Sequence, residues 1–454
     1  MDPAKSFLLT DLYQLAMMEA YVANDETDTA VFEFFVRKLP ARRNFFVAAG
    51  LEQVLDFLQD IRVSQEELDW LDRSGQFGKP FLDHLSRFRF TGDVHAMPEG
   101  TVFFPDEPIL RVTAPLPEAQ YVESRIINLL QFQTIVASRA VRMTVAARGR
   151  QLVDFGLRRA HGSEAGILAA RAAYLAGFTG TATVLAGQRF DMPIQGTMAH
   201  SFIQAHEDEA EAFLRFARAR PENLVLLIDT YDTERGAERV ARLAPRLKAE
   251  GITLRGVRLD SGDLDTLARR VRDILDAAGL EEVDIFASGG LDEDRIAALV
   301  DAGAPIDGFG VGSSLTTASD APVLDCAYKL QEYAGLARRK LSTGKATWPG
   351  RKQVWRRHDA DGLICGDVMS LEEDNQDGTP LIHKVMEGGR RLEPSPRLEA
   401  VREHTSAQID RLPETLRGLA PDQAYTVEVG APLEDLAREV DRRMEVPERK
   451  ETTS

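Results

Sequence analysis

The residues of this chain best suited to chemistry stand in short clusters, most of them just after an apolar run. "GTMAHSF", residues 196–202, carries His200 in a small-residue stretch ahead of the acid-rich run Glu207, Asp208, Glu209 and Glu211. A neutral imidazole, with an unperturbed pKa of about 6.5, can serve as base or nucleophile at neutral pH. A single histidine is as readily a turn residue held by backbone, so His200 needs partners to mean more. "RLDSGD" places Arg258 two residues before Asp260, on one face of a strand, with Asp263 opening the next element. A carboxylate at a strand end can hold ribose hydroxyls or a hydrated Mg²⁺, and the guanidinium can pair with a carboxylate or phosphate. The plainer reading of Asp263 is a helix cap, and of Asp260 a strand end.

"ASGG", which ends in Ser288, Gly289 and Gly290, and "GFGVGSS", with Gly310, Gly312, Ser313 and Ser314, offer clustered backbone N–H groups. Such groups at helix N-termini cradle phosphates, although glycine-rich turns also simply end strands. "DFGLRRAHG" adds Phe155, Arg158 and Arg159. A ring and a cation together suit a flat aromatic acid, with stacking on one side and charge at the edge.

The elements that must position these clusters repeat one pattern. "NLVLLID" (223–229) reads as a buried strand, followed by a helix with Val240, Leu243, Ala244 and Leu247 on one face. "LRGVRLD" (254–260), "VDIFASGG" (283–290) and "IDGFGVGSS" (306–314) are further strands, each separated from the last by a helical pattern. Successive βα units at this spacing imply a parallel sheet, as a barrel or an open sheet. In a parallel barrel the strand C-termini converge, so Asp229, Asp232, Asp260, Ser288 and Gly312 become neighbours on one face.

The 454 residues suffice for two or three domains. Acidic residues outnumber basic ones, 72 to 55, and the net charge of −17 repels nucleic acid and anionic membrane. The partners expected are small molecules or other subunits. Cys326 and Cys365 are too few for a disulfide framework or a C-x-x-C metal site, which fits the cytoplasm. The apolar stretch "FLLTDLYQLAMM" is interrupted by Asp11 and Gln14 and reads neither as a signal peptide nor as a membrane span. We expect an N-terminal α/β domain over residues 1–115, a barrel over 116–335, a C-terminal segment over 336–440 packing back on the N-terminal domain, and a disordered tail over 441–454. "ARRKLSTGKATWPGRKQVWRR", from residue 337, is a basic island without a carboxylate and invites anion contact.

Taken in order, "LLTDLYQLAMM", "FEFFVRKLP", "DFGLRRAHG", "GFTGTATVLAG", "GTMAHSF", "GVRLDSGDL", "IFASGGLDE", "GFGVGSSLTT" and "KLSTGK…PGRKQVWR" resemble the nicotinate phosphoribosyltransferase family, from near residue 8 to about 360. The resemblance implies an irregular α/β barrel of the type II phosphoribosyltransferase kind packed on an α/β N-terminal domain. It implies transfer of phosphoribosyl from 5-phosphoribosyl 1-diphosphate to nicotinate, with Mg²⁺, with ATP as co-substrate, and in a homodimer whose sites lie between subunits. The family's phosphorylatable histidine falls on His200, and Asp260 joins it as a catalytic residue. Tyr13 would stack on the pyridine ring, Thr197 and Arg258 would hold nicotinate beside Phe155 and Arg158, and Gly312 with Ser313 would bind the 5-phosphate. Ser288, Gly289, Gly290 and Gly310 complete the expected phosphoribosyl diphosphate site. Three rivals remain. The related nicotinamide enzyme would want an acid at the position of Ala182, the quinolinate enzyme lacks the "AHSF" histidine, and an inactive homologue on this fold would not need Tyr13, His200, Arg258 and Asp260 together.

Overall fold

The structure is a computed structural model that describes residues 5–342, 345–420 and 425–445. It divides into two compact units, one formed by residues 1–135 with 323–454 and the other by residues 136–322. These divisions, at 135/136 and 322/323, differ from the expected 115/116 and 335/336: the helix Glu123–Ala147 spans the first division, and the strand Cys326–Tyr333 belongs to the first unit.

The second unit holds a six-stranded sheet in the order Gly180–Thr181, Gln151–Asp154, Gly308–Val311, Asp284–Ala287, Leu254–Leu259, Leu224–Leu227. Every pairing in it is parallel. Numbered along the chain the order is 2-1-6-5-4-3, the cyclic order of a barrel whose first and last strands have met. The seam lies between Gly180–Thr181 and Leu224–Leu227, and the segment 193–198 spans it. Thr181 bridges Ile194 in parallel, Gln195 N donates to Thr181 O at 2.9 Å, and the Thr197 hydroxyl donates to Val225 O at 2.5 Å.

The strands read as apolar runs because both their faces are covered. The helices are amphipathic for the complementary reason: Ala237, Val240, Leu243 and Leu247 of Thr233–Ala249, and Leu264, Ala268, Val271 and Leu275 of Leu264–Ala277, are buried. Each of the valines and leucines contributes about 1.5–3 kcal/mol by leaving water. Asp232 and Asp292 cap their helices by accepting from the N–H three residues on. Asp263 occupies the N-cap position of Leu264–Ala277 and accepts the Thr266 hydroxyl at 2.6 Å.

The first unit is built on a seven-stranded antiparallel sheet in the order Leu336–Ala337, Cys326–Tyr333, Thr29–Val36, Pro108–Pro115, Asp93–Ala96, His383–Glu387, Arg390–Arg391. A four-stranded sheet contains Lys352–His358 and Ile364–Leu371. Seven of the eight residues of Thr29–Val36 are buried, and among them Glu33 is neutralised by Lys352 Nζ at 2.7 Å. The helix Ala431–Glu445 buries Leu433, Ala437 and Val440, so residues 441–445, expected in the tail, are its last turn. Residues 446–454 lie outside the described residues.

Candidate active site

At the C-terminal ends of the barrel strands Leu259 pairs with Ala287 and Ala287 with Phe309, while Val311 pairs with Asp154 two residues further on, and the residues that follow these ends share one face. Arg258 is the hub. Its Nε donates to Ser288 Oγ at 2.8 Å, its Nη2 to Asp260 Oδ1 at 2.8 Å and its Nη1 to the Met198 carbonyl at 3.4 Å. Its guanidinium carbon lies 5.3 Å from the centroid of the Phe155 ring, a cation–π arrangement. Ser288 closes the triangle by donating its hydroxyl to Asp260 Oδ1 at 2.5 Å.

Asp260 is half-buried, and burial alone would raise its pKa. The Ser288 hydroxyl, the Arg258 charge and hydrogen bond, and His200 together outweigh burial and hold it below the ordinary aspartate value. His200 begins the short helix His200–Gln204. Its Nδ1 is 3.1 Å from Thr230 Oγ1 and its Nε2 is 3.7 Å from Asp260 Oδ2. Asp229 underpins the loop, accepting from the Asp260 N–H at 2.9 Å and the Ser261 hydroxyl at 2.6 Å. Its other oxygen is buried without a hydrogen-bond partner.

The glycines here have different physical reasons. A Cβ on Gly310 would lie 2.4 Å from Phe155 Cε2, and one on Gly308, two residues back on the same strand face, 2.4 Å from Phe286 Cε1. The missing side chains on this strand make room for two aromatic rings. Gly289, at φ +94°, would put a Cβ 2.0 Å from the Asp260 carbonyl, so the turn after Ser288 closes onto Asp260 only with glycine. Gly290 is also left-handed, at φ +62°, and Gly312 is the N-cap of the turn that begins at Ser313.

The structure thus brings His200, Arg258, Asp260, Ser288 and Phe155 into one network. Arg158 is exposed on the 3₁₀ turn Leu157–Arg159, and Thr197 has its hydroxyl committed to the seam. Tyr13 belongs to the first unit, on the first turn of Leu12–Ala23. It is 49 % exposed, and its hydroxyl is 3.5 Å from Glu123 Oε2; burial, then the Glu123 charge, raises its pKa. Asp229, expected on this face, braces the Asp260 loop, and Thr230 beside it is the neighbour that motif reading passed over. The available signal was its place directly after a buried strand. Ala182 is exposed after Gly180–Thr181, and the nearby Asp154 carboxylate is already satisfied by Thr181 Oγ1 at 2.7 Å and Gly156 N at 2.8 Å. Among the described residues no group of three or more His, Cys, Asp or Glu side chains forms a metal cluster, and no helix is long and apolar enough to cross a membrane.

A parallel sheet in barrel order, with an arginine, a carboxylate, a histidine and an aromatic ring gathered at its strand C-termini, defines an α/β-barrel enzyme that acts on a small anionic substrate. The sequence model of the nicotinate phosphoribosyltransferase N-terminal domain matches residues 8–131, that of the nicotinate phosphoribosyltransferase family residues 150–335, and that of the C-terminal domain residues 374–437. A nicotinate phosphoribosyltransferase of Mycobacterium tuberculosis is 50 % identical over 423 residues, covering 93 % of this chain and 90 % of its own. That of Bacillus subtilis is 40 % identical over 357 residues, covering 77 % and 72 %. The crystal structure of human nicotinic acid phosphoribosyltransferase superposes with a TM-score of 0.86 at 29 % identity, covering 95 % of this chain and all of the other. The chain belongs to the nicotinate phosphoribosyltransferase family.

Proposed function

We propose that this chain transfers the phosphoribosyl group of 5-phosphoribosyl 1-diphosphate to nicotinate, giving nicotinate mononucleotide and pyrophosphate, the first step of NAD salvage from nicotinate. The observation that carries the reading is the Arg258 network: a forked cation beside an aromatic ring, braced by Ser288 and Asp260. Arg258 takes the nicotinate carboxylate, Phe155 and Tyr13 offer ring faces, Thr197 shapes the floor and Arg158 lies at the rim. Gly312 and Ser313, with Gly289 and Gly290, receive the phosphates, and Gly310 makes room for the Phe155 ring. The pyridine nitrogen lone pair forms the bond to ribose C1 as the C1–O bond to pyrophosphate breaks through an oxocarbenium-like state. No proton has to move, so positioning and charge stabilisation supply the catalysis.

The donors present suit Mg²⁺, a hard cation that commonly takes one or two carboxylates plus substrate phosphates. Asp260, held ionised, and Asp229, with one buried oxygen lacking a hydrogen-bond partner, are the residues that would hold it. Bound there, it would neutralise charge on the departing pyrophosphate.

For ATP, the reacting form of His200 is the neutral tautomer that donates Nδ1–H to Thr230 Oγ1, a reading that the 3.1 Å contact supports and that leaves the lone pair on Nε2. Nε2 attacks the γ-phosphorus, the bond to ADP breaks, and the phosphorylated ring adds about two negative charges beside Asp260, as phosphorylated hydroxyls do. Tyr13 acts on the barrel of a second copy in an isologous homodimer, the commonest way to complete a shared site. The exposed Val184, Leu185 and Ile194, at 66, 53 and 59 %, give the barrel unit an apolar surface for such a contact. The unpaired Cys326 and Cys365 agree with a reducing, cytoplasmic setting.

Side-by-side kinetics with nicotinate, nicotinamide and quinolinate test the reading, and better turnover of nicotinamide refutes it. His200→Asn is expected to keep the fold and a slow nucleotide synthesis but to lose ATP stimulation, whereas the same change at His206, whose ring bonds the Phe202 carbonyl of the preceding helix, should cost little. An acid-labile phosphate mapped to any residue but His200 overturns the ATP role alone.

A further inference from the structure

The first unit contains a cavity of about 570 Å³ built from residues other than those of the barrel site. Its wall joins three stretches: the end of the helix Leu51–Asp60 with Arg62 beyond it, Arg89 to Thr91 ahead of the strand Asp93–Ala96, and the turn Gly388–Gly389 between His383–Glu387 and Arg390–Arg391. The turn depends on glycine. Gly388 and Gly389 are left-handed at φ +55° and +73°, and a Cβ on Gly389 would lie 2.1 Å from the Phe90 carbonyl oxygen. Gly389 N donates to the Gly92 carbonyl at 2.8 Å. This close approach delivers Arg390 and Arg391 to the cavity already lined by Arg62 and Arg89, so four guanidinium groups converge in a chain of net charge −17.

Their partners are unequal. Arg391 is neutralised by Glu52 at 2.7 Å and Asp56 at 3.0 Å. Arg62 donates to the backbone carbonyls of Gln59 and Ile61, and Arg89 to that of Phe88. Among the described residues, Arg62, Arg89 and Arg390 have no carboxylate within ion-pair distance. Asp60, which attracts Arg62, is itself held by Lys5 at 3.6 Å, and Glu118 is committed to the Thr91 amide and hydroxyl. Arg62 and Arg89 repel each other: burial and then the Arg89 charge lower the proton affinity of Arg62. Like charges held at one cavity without a counter-charge cost stability that a bound anion returns.

We propose that this cavity binds a small polyanion with linked phosphate groups, such as pyrophosphate or a nucleotide triphosphate. Three guanidinium groups without a carboxylate partner exceed what one phosphate can occupy, and the volume falls in the range of small-molecule sites rather than single ions. Phe90, the aromatic residue of the wall, is 4 % exposed and offers no face for stacking, so the phosphates and not a base carry recognition.

Hydrogen–deuterium exchange on the full chain, with inorganic phosphate, pyrophosphate or ATP added separately, tests this. Pyrophosphate and ATP should slow exchange at residues 59–62, 89–91 and 388–391, with phosphate at least tenfold weaker. The double variant Arg62→Ala/Arg89→Ala, and separately the exposed Arg390→Ala, should weaken this protection, the former by about 100-fold in Kd. Turnover at saturating substrate and protection of the barrel loops should stay as in the parent chain. ATP protection exceeding that of pyrophosphate identifies a triphosphate as ligand, and the reverse identifies pyrophosphate. Absence of protection by either, protection indifferent to the arginine substitutions, or equal protection by sulfate overturns the proposal, whatever the barrel assays give.

Discussion

Gly310→Ala separates two reasons for a glycine at a strand end. The added methyl would stand 2.4 Å from Phe155 Cε2 and 2.6 Å from Cδ2. Carbon atoms rest at about 3.5–4.0 Å, so the ring has to move by roughly 1 Å. Phe155 is half-buried and can give way toward solvent, which puts the stability cost near the low end of overpacking, about 1 kcal/mol. The functional cost is larger, because the same ring lies 5.3 Å from the Arg258 guanidinium, which is tied to Ser288 and Asp260. Misplacement by about 1 Å can cost up to about 100-fold in rate. We expect Gly310→Ala to lower kcat/KM for nicotinate about 10- to 100-fold with only a small loss of stability by chemical denaturation. Adding Phe155→Leu should recover the stability and not the activity. Steady-state kinetics with each substrate varied in turn would refute this if KM for nicotinate held and only KM for phosphoribosyl diphosphate rose, since that pattern would mean the glycine serves the phosphates directly.

Ser288→Ala removes the hydrogen bond that does most to hold the Asp260 pKa down against burial, so that pKa rises. The carboxylate's contribution, fully present above its unfolded pKa of about 3.9 and lost as pH falls through the depressed folded value, is then lost at higher pH, and the acid limb of kcat/KM should move upward. Lys352→Met leaves Glu33 buried and unpaired and should cost about 3–5 kcal/mol in urea denaturation, most of it recovered by Glu33→Gln in the same chain. Arg258→Lys keeps the charge but loses the fork, and competition kinetics should show the preference for nicotinate over nicotinamide falling at least tenfold.

The βα grammar of the second unit was legible because parallel strands covered on both faces leave near-continuous apolar runs, as in "LVLL" at Leu224–Leu227. The two halves of the first unit were harder to join. The pairing of Lys384 with His95 links residues far apart in sequence, and no local pattern encodes such a register. Of the site, Arg258, Asp260, Ser288 and His200 could be named from residue type and strand-end position. Thr230 could not, since a threonine after a buried run has no distinctive chemistry until His200 Nδ1 is placed 3.1 Å from it. Gly310 looked like a phosphate turn, and only the packed ring of Phe155 shows the steric reason for it.

The bonding of Arg258 itself argues for a carboxylate ligand. A guanidinium has five N–H donors and no acceptor. Nε serves Ser288, one Nη2 hydrogen serves Asp260 and one Nη1 hydrogen serves the Met198 carbonyl. One donor is left on each terminal nitrogen, and two donors are the number that the two oxygens of a carboxylate accept from a guanidinium. An amide in the same place could satisfy one donor with its oxygen and would turn an N–H toward the other. With Ala182 exposed and the Asp154 carboxylate already taken by Thr181 and Gly156, neither position supplies an acceptor for that N–H. An unpaired polar group at a half-buried site costs about 1–3 kcal/mol, roughly tenfold to a hundredfold in selectivity. The preference for the acid therefore follows from how the hub arginine spends its donors: Ser288, Asp260 and Met198 leave it the two that a carboxylate requires.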